Sequence, residues 1–522
     1  MTRVLGEAGS VKVVERGESK AQAKTSGSTG LGEVFAGIPA EIPVGAEKLQ
    51  LSGIACDSRK VAPGFVFFAL HGAKEDGNKY AFDAVKGGAI AVASEDPAPA
   101  GLSPNVAWIR LNQSRKALAV SAATFFGYPA KSLQLIAVTG TNGKTTTTSL
   151  IDSVLRASGA KTGLFGTIAY HTPLGEYPAT NTTPESLDLQ SFFAETRDAG
   201  GMYAVLEASS HALVMDRLWG CHFQAAVFTN LTREHMDFHK DFEEYFAAKR
   251  RLFEGTGAGA PEMAVLNADD PYSARLIGLA KNTVSYGIEN PADISAKKFQ
   301  LAFSGLTFTA QTPKGKLQIQ SPLVGRINVY NILAAVGAAQ ATGMANETIE
   351  AGIRQLQSVP GRFQRVDLGQ PFLVIVDFAH TDDALENLIK TARELNPKGR
   401  VITLFGCGGG KDRTKRPVMG EAAGRLSDLT ILTNDNPRQE DPLKIISDIV
   451  VGLQKSNGKY LIEQDRERAI GMAFDEARVG DLVLLAGKGH EDYQILADKT
   501  LAWDDRTVAQ QELRKRGFER PA

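Results

Sequence analysis

The run Gly140-Thr-Asn-Gly-Lys-Thr-Thr146 is the part of this chain best equipped for chemistry. Its glycines let backbone N–H groups curl around a phosphate, Lys144 can bridge the outer phosphates, and Thr145 offers a hydroxyl to magnesium. The full phosphate-loop pattern has one more glycine, at 138, where this chain carries Val138. An apolar run at 134–139 and a helical pattern over Thr147–Ser158 supply the strand, loop and helix that such a site needs. Farther on, Glu207 closes a buried-looking strand just before Ala-Ser-Ser-His211. Its carboxylate could reach a metal at the phosphates, or end the strand in a salt bridge. The polar loop Thr229-Asn-Leu-Thr-Arg-Glu-His235-Met-Asp-Phe-His239 carries two histidines of a kind usual on wet surfaces. By composition Lys249, on the helix that follows, reads as a solvated lysine.

These groups need a scaffold, and the chain alternates short β-rich runs with helical patterns, which predicts α/β layers. Strands are expected at 134–139, 203–207, 223–229, 372–377, 400–405 and 481–486. Parallel sheets of this kind bind ligands at the carboxyl ends of their strands, so the chemistry should gather there. The 522 residues exceed one core and suggest three domains. Boundaries are placed near 112 and 358, giving bodies at 31–112, 113–358 and 359–522. Residues 1–30 are small, polar and aperiodic, and are expected to form a flexible tail. Glu7, Glu15 and Glu18 argue against a transit peptide.

Lys and Arg number 58 against 59 Asp and Glu, so no global field draws the chain to nucleic acid or to an anionic membrane. Cys56, Cys221 and Cys407 are far apart, without metal or disulfide spacing, which fits a reducing cytoplasm. No apolar run approaches the roughly 20 residues that span a bilayer.

Several further motifs follow in order: Asn328-x-x-Asn331, Arg362 in Pro-Gly-Arg-Phe, Asp377-Phe-Ala-His380, Gly406-Cys-Gly-Gly409, Asp435-Asn-Pro-Arg438 and Gly487-Lys-Gly-His-Glu491. With Asp57-Ser-Arg59 near the start and the phosphate, Glu207, His235 and Lys249 segments, the ordered set resembles the Mur ligases. Within that family it is most similar to the members that add the third residue of the peptidoglycan stem peptide. The resemblance implies an α/β chain of three domains: a small N-terminal one for the UDP end, a central P-loop-type ATPase with a mainly parallel sheet, and a C-terminal Rossmann-like domain for the amino acid.

Carried over residue by residue, the resemblance assigns ATP to Gly140, Thr141, Asn142, Gly143, Lys144, Thr145, Thr146, Asn331, Arg362, Asp377 and His380. It assigns the UDP-muramoyl peptide to Cys56, Ser58, the Ala73-Lys74-Glu75 turn, Asn181, Thr182, Thr183, Ser209 and Arg217. Met215 stands where the family commonly has a glutamine, and Phe378 where a tyrosine is more usual. Mg2+ is expected on Thr145 and Glu207, with a second ion on Glu207, His235 and Lys249, the lysine being carbamylated by carbon dioxide. Lys144, Glu207, His235 and Lys249 form the implied catalytic set. The implied reaction is an ATP-dependent acid–amino-acid ligation: the D-glutamyl carboxylate of UDP-N-acetylmuramoyl-L-alanyl-D-glutamate becomes an acyl phosphate, which an amine then attacks. Lys411, Asp435, Asn436, Pro437, Arg438, Gly487 and Glu491 are the implied amino-acid pocket. The fork of Arg438 suits the second carboxylate of meso-diaminopimelate rather than lysine, although Lys411 occupies a position where arginine is common. The chain is expected to work as a cytoplasmic monomer on these small molecules, with no nucleic acid or membrane. The lysine-adding ligase, a folylpolyglutamate-synthetase-like ligase and a P-loop switch or transport ATPase are the alternatives.

Overall fold

The computed structural model describes residues 28–72 and 75–519. Strands buried on both faces read as unbroken apolar runs, and the runs singled out above form the parallel middles of two mixed sheets. In the larger, eleven-stranded sheet, Gln134–Thr139 lies between Tyr203–Glu207 and Ala225–Phe228, all parallel. Register pairs Glu207 with Val138 and Phe228 with Thr139. The phosphate loop, the Glu207 carboxylate and the His235 loop therefore leave the sheet at one edge. Helices Lys144–Ala157 and Arg326–Ala341 cover one face through Leu150, Ile151, Val154, Ile332 and Leu333. Helix Phe242–Glu254 covers the other through Tyr245, Phe246 and Leu252.

The C-terminal sheet has six strands, five of them parallel, with Leu482–Ala486 between Leu373–Asp377 and Val401–Phe405, and Leu429–Leu432 beyond. Asp377, Gly406, Asp435 and Gly487 thus emerge at one edge, which faces that of the central sheet. A five-stranded N-terminal sheet, from Ala40–Glu41 to Ala107–Leu111, carries the first core.

Two expectations are corrected. The tail does not run to residue 30, because Thr29–Gly30 pair with Gln50–Leu51; residues 1–27 lie outside the described set. The boundary near 112 is too early, because helix Ser114–Phe125 puts Ala117, Leu118, Ala122 and Phe125 into the N-terminal core. No helix among the described residues is long and apolar enough to cross a membrane.

Candidate active site

Gly140 and Gly143 both adopt positive φ, 143° and 85°. A Cβ at Gly140 would lie 1.9 Å from Thr229 Oγ1, and one at Gly143 2.5 Å from Asn331 Oδ1. Close packing as well as the turn therefore demands glycine at both places. Helix Lys144–Ala157 begins directly at Lys144, earlier than the helical pattern suggested. Its unpaired N–H groups and dipole face the loop, as a phosphate site requires. Lys144 Nζ donates to the carbonyls of Gly140 and Thr141 at 3.0 and 2.7 Å.

Glu207 is 1% exposed. Its two oxygens accept from Thr167 N at 2.9 Å and Thr167 Oγ1 at 3.0 Å, so it is paired with neutral donors rather than in the strand-end salt bridge. Lys249 is also 1% exposed, against its reading as a solvated lysine. The reason is helical spacing: Lys249 follows Tyr245 by four residues and precedes Leu252 by three, so it shares their buried stripe. Its Nζ donates to Gly140 O at 2.8 Å and lies 4.2 Å from the Tyr245 ring centre. Burial, reinforced by the charge of Lys144, holds its pKa well below the ordinary lysine value despite Glu234.

His235 sits in the left-handed region at φ 58°. Burial first, then the neighbouring His211, Lys249 and Lys144, outweigh Glu234 and bring its pKa down to about 4. Its imidazole is thus neutral at pH 7, the form that ligates metals. Glu234, which no motif singled out, lies between His235 Nε2 at 3.6 Å and His380 Nε2 at 3.1 Å. Burial would raise its pKa, but His235, His380 and Lys144 together hold it well below the carboxylate range.

The two sheet edges meet across this group. Arg362 Nη2 donates to Thr145 Oγ1 at 3.1 Å, its guanidinium lying 4.7 Å from the centre of the Phe378 ring. Asp377 accepts from the backbone N–H groups of Phe363 and Ala379 at 2.6 and 2.8 Å, fixing the turn that presents Arg362. Asn142 Nδ2 donates to Asp383 Oδ2 at 2.8 Å, a second bond from the phosphate loop to the C-terminal body. Between the bodies lies a cavity of about 330 Å3. It is lined by Lys144, Thr145, Glu207, His235, Lys249, Asn331, Arg362, Asp377 and His380. Val324, Ile327, Ala384 and Leu388 add an apolar patch to its lining. Sequence reasoning missed those four, because isolated apolar residues carry no motif.

A second cavity of about 190 Å3 shares Glu234, His235, Phe378 and His380 with the first. Lys411, Asp435, Asn436, Arg438, Gly487 and Glu491 line it, whereas Pro437 is buried outside its walls. Arg438 Nη1 donates to Gly409 O at 3.0 Å, and Gly487 adopts φ 107°, a conformation that favours glycine, with Asp435 Oδ2 2.8 Å from where a Cβ would stand. A cleft of about 390 Å3 that also borders Phe378 takes in Asn181, Thr182 and Glu491. Thr183 Oγ1 donates to Glu207 O at 2.7 Å, Ser209 lines the first cavity, and Arg217 Nη1 donates to Thr183 O at 2.9 Å. Met215 keeps a contact with Arg217 through its sulfur at 3.8 Å.

Cys56, Ser58 and Glu75 line none of these three spaces. Cys56 lies on the N-terminal body where Glu185 and Asp188 add to burial in raising its thiol pKa. Glu75 accepts from Tyr80 Oη at 3.3 Å, and Ala73 and Lys74 lie outside the described residues.

Thr145, Glu207 and His235, on one cavity wall with a buried amine at Lys249, give the hard oxygen and imidazole donors that suit Mg2+. The Glu207 carboxylate fits such an ion especially well, having no cationic partner among the described residues.

Family models match three stretches: "Mur ligase family, catalytic domain" over 50–126, "Mur ligase middle domain" over 138–339, and "Mur ligase, glutamate ligase domain" over 361–489. A relative from Solibacter usitatus, UDP-N-acetylmuramoyl-L-alanyl-D-glutamate--2,6-diaminopimelate ligase, is 52% identical over 491 residues, 94% of this chain and 99% of that protein. One of the same name from Geobacillus kaustophilus is 46% identical over 90% of this chain and 96% of its own length. A solved structure of that name is 32% identical at a TM-score of 0.65, covering 94% of this chain and 99% of the other. The MurF ligase of Thermotoga maritima in complex with ADP, 19% identical at a TM-score of 0.64 over 89% of this chain and 98% of that one, shares the fold.

Proposed function

This chain belongs to the Mur ligase family, and on that footing we propose that it joins meso-diaminopimelate to UDP-N-acetylmuramoyl-L-alanyl-D-glutamate while ATP is split to ADP and phosphate. It is an ATP-dependent acid–amino-acid ligase of peptidoglycan precursor synthesis. One observation carries the reading: the cavity at the phosphate loop and the cavity at Arg438 share a wall of Glu234, His235, Phe378 and His380. An acyl phosphate formed on one side of that wall is within reach of an amine held on the other.

A carboxylate is a poor electrophile, and the two-step route removes that difficulty. In the first step a carboxylate oxygen attacks the γ-phosphorus, the bond from that phosphorus to the β–γ bridging oxygen breaks, and ADP leaves. Lys144 and the helix N-terminus balance the charge spread over the transferring oxygens. In the second step the substrate nitrogen, having lost one proton from its ammonium, bonds to the carbonyl carbon, and inorganic phosphate departs as the nitrogen gives up a second proton to leave the neutral amide. The contacts of Arg362 with Thr145, Asn142 with Asp383 and Glu234 with His380 close the two bodies over the site, which keeps water from the acyl phosphate.

Thr145, Glu207, His235 and Lys249 are the residues we assign to Mg2+, which when bound neutralises phosphoryl charge. A neutral, buried Lys249 amine can attack carbon dioxide, forming an N–C bond with loss of a proton, and the carbamate is an oxygen ligand such an ion accepts. Uridine recognition falls to Cys56, Ser58, Ala73, Lys74 and Glu75, and the muramoyl peptide to Asn181, Thr182, Thr183, Ser209 and Arg217. The test is ADP release with UDP-muramoyl-dipeptide, ATP and a panel of amino acids. Turnover should require an amino acid, yield the tripeptide and favour meso-diaminopimelate. Turnover without any amino acid, or equal kcat/KM for lysine, overturns the assignment.

A further inference from the structure

Behind the amino-acid cavity sits a lysine that no assigned role uses. The Lys488 side chain is 0% exposed and is not among the cavity walls. Its Nζ donates to Asn436 Oδ1 at 3.1 Å and to Glu491 Oε2 at 3.0 Å. Asn436 Nδ2 in turn donates to Glu491 Oε2 at 2.9 Å, so each member of the triangle is bonded to both others. Asn436 Oδ1 also accepts from Ile495 N at 2.9 Å.

An ammonium has only donors, and so has a backbone N–H. Together they force Asn436 to turn its oxygen inward and its NH2 group toward Glu491. The same ammonium and that NH2 group both bind Oε2 of Glu491, which stops rotation of the carboxylate and leaves Oε1 without a protein donor among the described residues. Burying a cation costs several kcal/mol unless it is paired. An apolar side chain would fill the space without that cost, yet here the cation's hydrogen bonds among the described residues go to two residues that line the cavity, with the Tyr493 ring centre 5.7 Å away. The geometry points to Lys488 as a positioning residue that presets Asn436 and Glu491 for the amino-acid substrate. This rests on reading the cavity as the amino-acid pocket.

The test compares full-length wild type with Lys488→Met, which keeps the length and removes the charge. The amino-acid KM should rise about tenfold or more, while KM for ATP and for UDP-muramoyl-dipeptide stays within about twofold. A double variant, Lys488→Met with Glu491→Gln, should be no worse in amino-acid KM than the poorer single variant, because the lysine acts through the carboxylate. An unchanged amino-acid KM, an equal loss for all three substrates, or additive effects in the double variant overturn the role. Lys488→Gln replaces Lys488→Met should the latter not fold; if neither folds, Lys488 is a structural cation and the proposal falls. Absence of amino-acid-dependent turnover in the wild type overturns the functional reading itself, and is distinguishable from a failure confined to the variants.

Discussion

Lys144 Nζ and Lys249 Nζ donate to the same Gly140 carbonyl oxygen, at 3.0 and 2.8 Å. Two ammonium groups on one oxygen are at most about 6 Å apart, where like charges repel by about 3 kcal/mol at an effective dielectric of about 20. That repulsion adds to burial in driving Lys249 toward the neutral amine. Once the amine has taken up carbon dioxide, the sign reverses and the carbamate attracts Lys144 by a similar amount. In Lys249→Ala that organising charge is gone beside the phosphoryl group in transfer, and about 3 kcal/mol corresponds to about a hundredfold in rate. Loss of a metal ligand adds to this, so the variant should be nearly inactive. Acetate or formate, able to enter the space left by the side chain, should restore part of the activity. ADP release measures the rate, and 13C NMR of protein in labelled bicarbonate should show a carbamate signal in wild type that Lys249→Ala lacks. A variant within about tenfold of wild type, or a wild type with no labelled carbon on Lys249, refutes the reasoning.

Lys144→Ala should abolish ligation while thermal unfolding shifts by no more than a few degrees, since among the described residues this half-buried side chain hydrogen-bonds only its own loop; normal turnover in the folded variant would remove the loop from the reaction. Arg438→Ala should lose about tenfold or more of the preference for meso-diaminopimelate over lysine in a competition assay, because a guanidinium bonded to the extra carboxylate is what separates the two. An unchanged ratio would contradict that role. Burial first, then the charges of Arg362, Arg506 and His380, bring the His490 pKa down to about 4 despite the opposing Thr167 contact. The unfolded chain therefore binds the extra proton below about 6.5, and stability present above that pH is lost as pH falls from 6.5 toward 4. His490→Leu should flatten the dependence of Tm on pH in that window; an identical slope in variant and wild type would rule the histidine out.

The sequence by itself determined what depends on local order. The apolar runs became the central parallel strands because full burial on both faces leaves no alternation to misread. The phosphate loop was legible because its glycines, lysine and threonine are contiguous and act through their own backbone. Tertiary structure decided what depends on partners distant in the chain. Lys249 is buried rather than solvated because helix Phe242–Glu254 lays its stripe against the sheet, beneath the Gly140 carbonyl. Glu234 belongs to the site only because the C-terminal body brings His380 to it across 146 residues of chain. The apolar patch of Val324, Ile327, Ala384 and Leu388 likewise carries no local signal, since its segments meet only where the two sheet edges face one another, and the triangle of Lys488, Asn436 and Glu491 forms only because the C-terminal sheet brings together the ends of two strands far apart in the chain. Helix Ser114–Phe125 joined the N-terminal core for the same reason: its pattern says that one face is apolar, and the fold alone supplies the surface that face covers.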